Sequence, residues 1–309
     1  MSGYGAVEFQ RELARRTEDA ERVVQAHLPK DLPETRVLEA MSYSVTAGGK
    51  RLRPLLIRAV YDCCVRETGG NPDPQLVEPF MAAMEYIHTY SLVHDDLPAM
   101  DNDEYRRGKK TTHAVYGPGI ATLAGDGLLN YAFELMLQHI MAQEDPERMR
   151  RFVRAAAIQG EAAGIRGMVG GQSRDLEAEG RKVDLDTLQL IHEGKTAAML
   201  RACFGIGATL AGLDERQVEA LEQVGDGIGM AFQIRDDILD VTGDAAQLGK
   251  PLHSDEKNDK ATVVSLLGVE GAEAECLRYT EHALGILQSY EPEGGFLTQL
   301  ARHLTTREA

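Results

Sequence analysis

Two runs of aspartate carry the chemistry of this chain: His94-Asp95-Asp96-Leu97-Pro98-Ala99-Met100-Asp101 and Arg235-Asp236-Asp237-Ile238-Leu239-Asp240. Adjacent carboxylates repel each other, and apolar neighbours make their charged forms costlier unless a cation is near. Asp236 and Asp240 are spaced i, i+4, so a helix turns both to one side. That spacing destabilises a bare helix, and a hard cation with oxygen ligands reverses the effect. On an ideal helix Asp95 and Asp101 would point about 240° apart. Pro98 cannot continue a helix interior and disfavours helical backbone at Leu97. The spacing therefore predicts a helix that ends or bulges at Leu97–Met100 and returns both aspartates to one face.

Cations surround the first run. Arg106-Arg107-Gly108-Lys109-Lys110 follows it, and His88 lies two helical turns before Asp95. Carboxylates closely followed by arginines suit a diphosphate held by Mg²⁺ on one side and by guanidinium forks on the other. Lys50-Arg51-Leu52-Arg53, after Gly48-Gly49 and before Pro54, reads as a loop and first helical turn suited to a phosphate.

The elements that must position these groups are helical. Apolar residues recur at helical spacing almost throughout, as in Leu76-Phe80-Met84-Ile87 and Leu221-Val224-Ile228, and alternating β-branched runs are scarce. Breakers such as Gly69-Gly70-Asn71-Pro72 and Gly117-Pro118-Gly119 fall at helix-length intervals. Asp184 or Asp186, and Asp214, are plausible N-caps. The reading is one all-α domain over residues 1–309: about ten or more helices and no confident strand, with 196–211 and 224–240 at its centre. Gly194-Lys195-Thr196 mimics the end of a nucleotide loop but lacks its first glycine and its strand. Gly225, Gly227 and Gly229 read as close helix packing. The stretches Arg11–Arg16 and Arg151–Arg154 read as solvated faces.

A net charge of −16 over 309 residues argues against nonspecific nucleic-acid binding and against an anionic membrane surface. No stretch reads as a stable membrane insertion, and the first residues lack the apolar core of a signal peptide. Cys63, Cys64, Cys203 and Cys276 have no metal-ligand spacing and read as thiols of a reducing cytoplasm.

Taken in order, Gly48-Gly49-Lys50-Arg51-Leu52-Arg53-Pro54, His94 to Asp101, Arg106-Arg107-Gly108, Met168-Val169-Gly170-Gly171-Gln172, Gly194-Lys195-Thr196, Asp236 to Asp240 and Leu248-Gly249-Lys250-Pro251 resemble the trans-isoprenyl diphosphate synthases, most of all their bacterial farnesyl diphosphate branch. The similarity runs from about residue 38 to the end. It implies an all-helical fold with a central cavity, usually a homodimer, that joins isopentenyl diphosphate to an allylic diphosphate such as dimethylallyl or geranyl diphosphate. It implies three Mg²⁺, or Mn²⁺ in their place, with Asp95, Asp101 and Asp236 as ligands and Asp96, Asp237 and Asp240 in support. Lys50, Arg53, His88 and Arg107 match the residues that hold isopentenyl diphosphate. Arg106, Lys195, Thr196, Gln233, Lys250 and Lys260 match those around the allylic diphosphate and its developing carbocation. The sequence departs from the family pattern at His253, Ala261 and Val263, while both nearby lysines are kept.

Product length in this family depends on cavity depth below the first aspartate run. Ser91 and Tyr90 stand four and five residues before Asp95, and Tyr90 is expected to block the tube at a fifteen-carbon product. Geranylgeranyl or geranyl diphosphate synthesis is the alternative. A class I terpene cyclase fits less well, because Lys50, Arg53 and His88 would have no substrate to hold. A noncatalytic partner subunit is expected to lose one aspartate run, and a calcium module would need a glycine-bearing loop that is absent.

Overall fold

The computed structural model describes residues 5–30, 33, 35–243, 261–292 and 294–307. Among these are thirteen α-helices and one two-stranded ribbon. The helices are α1 Ala6–Ala26, α2 Arg36–Val45, α3 Leu52–Glu67, α4 Glu78–Asp95, α5 Thr112–Tyr116, α6 Pro118–Met141, α7 Pro146–Ala163, α8 Met168–Ala178, α9 Leu185–His192, α10 Ala198–Ala211, α11 Glu215–Thr242, α12 Val263–Leu287 and α13 Phe296–Thr306. The ribbon, β1 Tyr105–Arg106 with β2 Lys109–Lys110, is the one departure from the all-helical expectation, and it lies at the arginines after the first aspartate run. No helix among the described residues is long and apolar enough to cross a membrane.

Helix boundaries follow local chemistry. Asp184 caps α9 by accepting from the Thr187 N–H at 2.9 Å. Asp214 and Gln217 form a reciprocal capping box at the start of α11, and Thr262 and Ser265 form another at α12. Helix α10 stops at Gly212 in left-handed backbone. Helix α12 is broken at Gly268, whose φ is 72°.

Contacts group the chain into two compact units. One comprises residues 10–58 and 72–156; the other comprises 5–9, 59–71 and the described residues from 157 onward. In the first, α4 packs against α6, and α2 packs against both. Phe80, Met84, Tyr86, Leu128 and Met136 are fully buried there. Phe152 joins this core, its ring 4.7 Å from His139 and 5.6 Å from Phe80. Of the stretch expected to be solvated, Val153 and Arg154 are exposed, Arg151 is half-buried and Phe152 faces inward.

The second unit is built on α11, which lies against α10 and α12. Three glycines allow that approach. A Cβ on Gly225 would lie 2.7 Å from the Arg201 Cα, and one on Gly229 would lie 2.6 Å from the Ala197 Cα. On Gly227 it would lie 3.1 Å from the Tyr279 carbonyl. The glycine stripe is helix packing. Helix α10 is buried almost along its whole length. Cys64, Cys203 and Cys276 are buried and Cys63 is half-buried.

Candidate active site

In the first unit the buried apolar face of α4 fixes where the first aspartate run emerges. The helix ends at Asp95, and the chain turns at once. The Asp101 N–H donates to the Asp95 carbonyl at 2.8 Å, and that of Asn102 donates to Leu97 at 3.1 Å. The expected break is present, slightly before Leu97, and it ties Asp95 to Asp101 backbone to backbone. Asp95 is half-buried, Asp96 buried and Asp101 exposed. Asp96 is held by Arg106, whose Nε and Nη2 lie 2.8 and 2.7 Å from one carboxylate oxygen. Burial raises the Asp96 carboxyl above its usual range, and the guanidinium opposes that rise.

The ribbon turns through Arg107 and Gly108 with φ of 54° and 74°, the positive pair that a two-residue hairpin with native twist requires. From its tip Arg107 donates to the Gly48 carbonyl. A Cβ on Gly49 would lie 2.2 Å from the Arg107 Nη1, so the glycine pair is the seat of this arginine. Tyr43 fastens the ribbon to α2 by donating to the Lys110 carbonyl at 2.7 Å. A cleft lined by Tyr43, Ser44, Thr89, Asp96, Arg106 and Arg107 opens beside it.

His88, half-buried on α4, is pushed well below the usual histidine range. Burial is the largest cause, followed by the charges of Arg53, Arg107, Arg106 and Arg51. Arg51 itself is buried with φ 46°. It pairs with buried Glu85 at 2.7 Å, with Glu21 at 3.2 Å through Nη2, and with the Val45 carbonyl. Lys50 is exposed and Arg53 half-buried on either side of it. Tyr90 is buried, its ring edge-on to His94 with centroids 5.6 Å apart. The Ser91 hydroxyl turns back to the His88 carbonyl at 2.9 Å. The His94 Nε2 lies 3.0 Å from the Thr122 carbonyl of α6.

In the second unit, α9 widens into a π-helical turn, Glu193–Ala197, before α10 begins. Such single-turn bulges recur at functional sites. Gly171 makes room for it, since a Cβ there would lie 2.1 Å from the Lys195 backbone nitrogen. Lys195 pairs with Asp175 at 2.6 Å. The Thr196 hydroxyl donates to the Gln233 Oε1 at 2.9 Å, and the Gln233 Nε2 donates to the Asp237 Oδ1 at 3.4 Å. The other Asp237 oxygen accepts from the Val263 N–H at 2.9 Å. Thr196, Gln233 and Asp237 are thus one chain of hydrogen bonds anchored on the start of α12. Asp236 is half-buried and paired with Arg307, whereas Asp237 and Asp240 are buried. Lys250, Lys260 and His253 lie outside the described residues; Ala261 is half-buried and Val263 buried.

Sequence reasoning missed the supporting roles of Arg51, Glu85 and Glu21, and it missed Arg307. Arg51 sits inside a motif whose other cations carry the phosphate reading, and Glu85 reads as an ordinary helical residue. A glutamate three residues before His88 on an otherwise apolar helix was the available signal.

The donors of both aspartate runs are hard carboxylate oxygens, and no cluster of three or more metal-ligating side chains is assembled among the described residues. That donor set fits Mg²⁺, which uses one or two carboxylates and completes its shell with water and phosphate oxygens.

Residues 34–289 match the polyprenyl synthetase family model. The chain is 44% identical over 275 residues to the farnesyl diphosphate synthase of Geobacillus stearothermophilus, covering 88% of this chain and 89% of that one. It is 42% identical over 259 residues to the geranylgeranyl diphosphate synthase of Cyanophora paradoxa, covering 84% and 83%. A crystal structure of an FPP/GFPP synthase from Zymomonas mobilis superposes with a TM-score of 0.82 at 35% identity, covering 97% of this chain and all of that one.

Proposed function

The chain belongs to the polyprenyl synthetase family, and we propose on that premise that it makes (2E,6E)-farnesyl diphosphate from isopentenyl diphosphate and an allylic starter. The observation that carries the reading is the gathering of Arg53 and Arg107 near His88, beside the carboxylate-paired Arg51 and Arg106, on a chain of net charge −16. Cations gathered at one place on an acidic protein call for an anion of high charge density, and forked guanidinium groups suit phosphate oxygens.

In this reading Lys50, Arg53, His88 and Arg107 hold isopentenyl diphosphate, and Arg106 and Lys195, with Lys250 and Lys260, hold the allylic diphosphate. Asp95, Asp101 and Asp236 would hold up to three Mg²⁺, which would neutralise the leaving diphosphate and lower the cost of its departure. The allylic C1–O bond breaks and its electron pair leaves with the diphosphate. The oxygens of Thr196 and Gln233 face the developing allylic cation with lone pairs. The C3–C4 double bond of isopentenyl diphosphate then bonds to C1, and the proton lost from C2 passes to the released diphosphate. No side-chain nucleophile takes part. Low proton affinity keeps His88 a neutral hydrogen-bond partner among the arginines.

The two units are read together as one polyprenyl synthetase domain in a cytoplasmic enzyme; the family match, which runs through both, supports this. A homodimer through α6 is part of the same proposal. Leu123, Leu137 and Met141 are 52%, 56% and 82% exposed, and spacings of fourteen and eighteen residues put them on one side of that helix. The likeness to a geranylgeranyl diphosphate synthase supports a twenty-carbon product as the second reading. Incubation with dimethylallyl and isopentenyl diphosphates plus Mg²⁺, followed by product sizing, tests both. A fifteen-carbon product abolished by EDTA is expected, and no product longer than the starter defeats the proposal.

A further inference from the structure

Arg307, the residue that follows α13, lies on the second aspartate run. Arg307 directs one guanidinium nitrogen at the Asp236 Oδ1. Its guanidinium carbon stands 4.1 Å from the centre of the Phe232 ring, one turn earlier on α11. The Arg307 carbonyl is held in turn by the Arg235 Nε at 2.7 Å. Three consecutive contacts with α11 therefore seat one residue. The Arg307 side chain is only 10% exposed, against 39% for Asp236, and its buried Nε has no acceptor among the described residues. The guanidinium is thus desolvated for the sake of a single carboxylate that the reaction needs for another purpose.

We infer that Arg307 is a placeholder cation for Asp236, which it orients and which it yields to the divalent metal. The inference rests on the reading of Asp236 as a metal ligand. A half-buried carboxylate is stabilised by a positive partner. Before metal arrives, Arg307 supplies it. A divalent ion carries twice the charge and displaces the guanidinium, so metal entry at Asp236 and release of the Arg307 side chain are one exchange. Its thermodynamic consequence is that Arg307 weakens metal binding at Asp236 by the strength of its own pairing.

The test measures Mn²⁺ binding by loss of the free-ion electron paramagnetic resonance signal, with inorganic diphosphate present. It compares wild type, Arg307→Ala, Arg307→Gln, Asp236→Asn and the double variant Asp236→Asn/Arg307→Ala. Arg307→Ala is expected to tighten Mn²⁺ binding about five-fold, the size of one partly exposed ion pair. Arg307→Gln keeps a stem against Phe232 and should tighten it similarly, so loss of packing is not the cause. In the Asp236→Asn background the gain should vanish. Unchanged or weaker binding in both Arg307 variants, with Asp236→Asn still impaired, overturns the placeholder and leaves the metal assignment intact. Binding unaffected by Asp236→Asn overturns the metal assignment and the placeholder with it.

Discussion

The two aspartate runs place the same residue type on different backbones, yet they divide the work alike. The first lies in a turn beyond the end of α4, and the second lies within the twenty-eight residues of α11. In each, the leading aspartate is half-buried and its neighbour buried: Asp95 beside Asp96, and Asp236 beside Asp237. The buried members are spoken for. Asp96 is committed to Arg106 as a charge pair, and Asp237 to Gln233 and the Val263 N–H as a hydrogen-bond acceptor. A pair of adjacent carboxylates here is one outward-facing group and one inward group that holds the scaffold.

The sharpest way to break that division is to neutralise the outward members. Asp95→Asn or Asp236→Asn should lower kcat/KM by roughly 10³-fold, the scale of lost electrostatic stabilisation at a leaving group. Asp95→Asn should barely move thermal unfolding, and Asp236→Asn should lose only about 1 kcal/mol, the size of its ion pair with Arg307. Asp237→Ala should show the reverse emphasis, losing about 1–3 kcal/mol of stability because a buried N–H and amide lose their acceptor. Equal stability losses at Asp236 and Asp237, measured by urea unfolding, would erase the distinction.

Next in size is the ion network beneath the first run. Arg51→Met leaves Glu85 buried without its partner and should cost about 3 kcal/mol in denaturant unfolding. It should also raise KM for isopentenyl diphosphate more than for the allylic starter, because Arg51 lies between Lys50 and Arg53. A smaller effect concerns the second unit. Burial is the main reason that the proton affinity of His192 is pushed down to about 4, with the Asp175 charge opposing and the Lys195 charge assisting. The unfolded chain therefore takes up this proton first. Stability from this residue is intact above about pH 6.5 and declines as pH falls toward 4, with a slope of at most about 1.4 kcal/mol per pH unit. His192→Gln should flatten that part of the stability curve relative to wild type.

Much of this was legible in the chain because it depends on local rules. Pro98 announced the end of α4, Asp184 and Asp214 announced helix starts, and Gly225, Gly227 and Gly229 announced a packing face. What escaped depends on contacts distant in sequence. Nothing near Arg51 points to Glu21 or Glu85, thirty and thirty-four residues away. Arg307 meets Asp236 across seventy-one residues. The ribbon was missed because two residues per strand give no alternation to read; only its Arg107-Gly108 turn carries a signal, and in sequence that signal reads as phosphate chemistry. That the arginines both turn the chain and crowd His88 explains how one stretch held two meanings.

The gentlest test concerns product length and bears on the first run alone. Tyr90 sits on α4 little more than one turn before Asp95, and it is 6% exposed. Burial raises the proton affinity of its hydroxyl, with the Asp95 charge adding to the effect. It stays a neutral phenol at working pH, bulky and set edge-on against His94. If that ring closes the growing chain's path, Tyr90→Ala should shift the major product from fifteen to twenty carbons while kcat changes less than about ten-fold, since no group that stabilises charge is removed. If the ring is core packing alone, the same variant loses about 3–5 kcal/mol of stability, as large-to-small aromatic changes do, and still releases a fifteen-carbon product. Product sizing beside an unfolding curve separates the two, because a side chain lining a substrate path opens space that the longer chain refills.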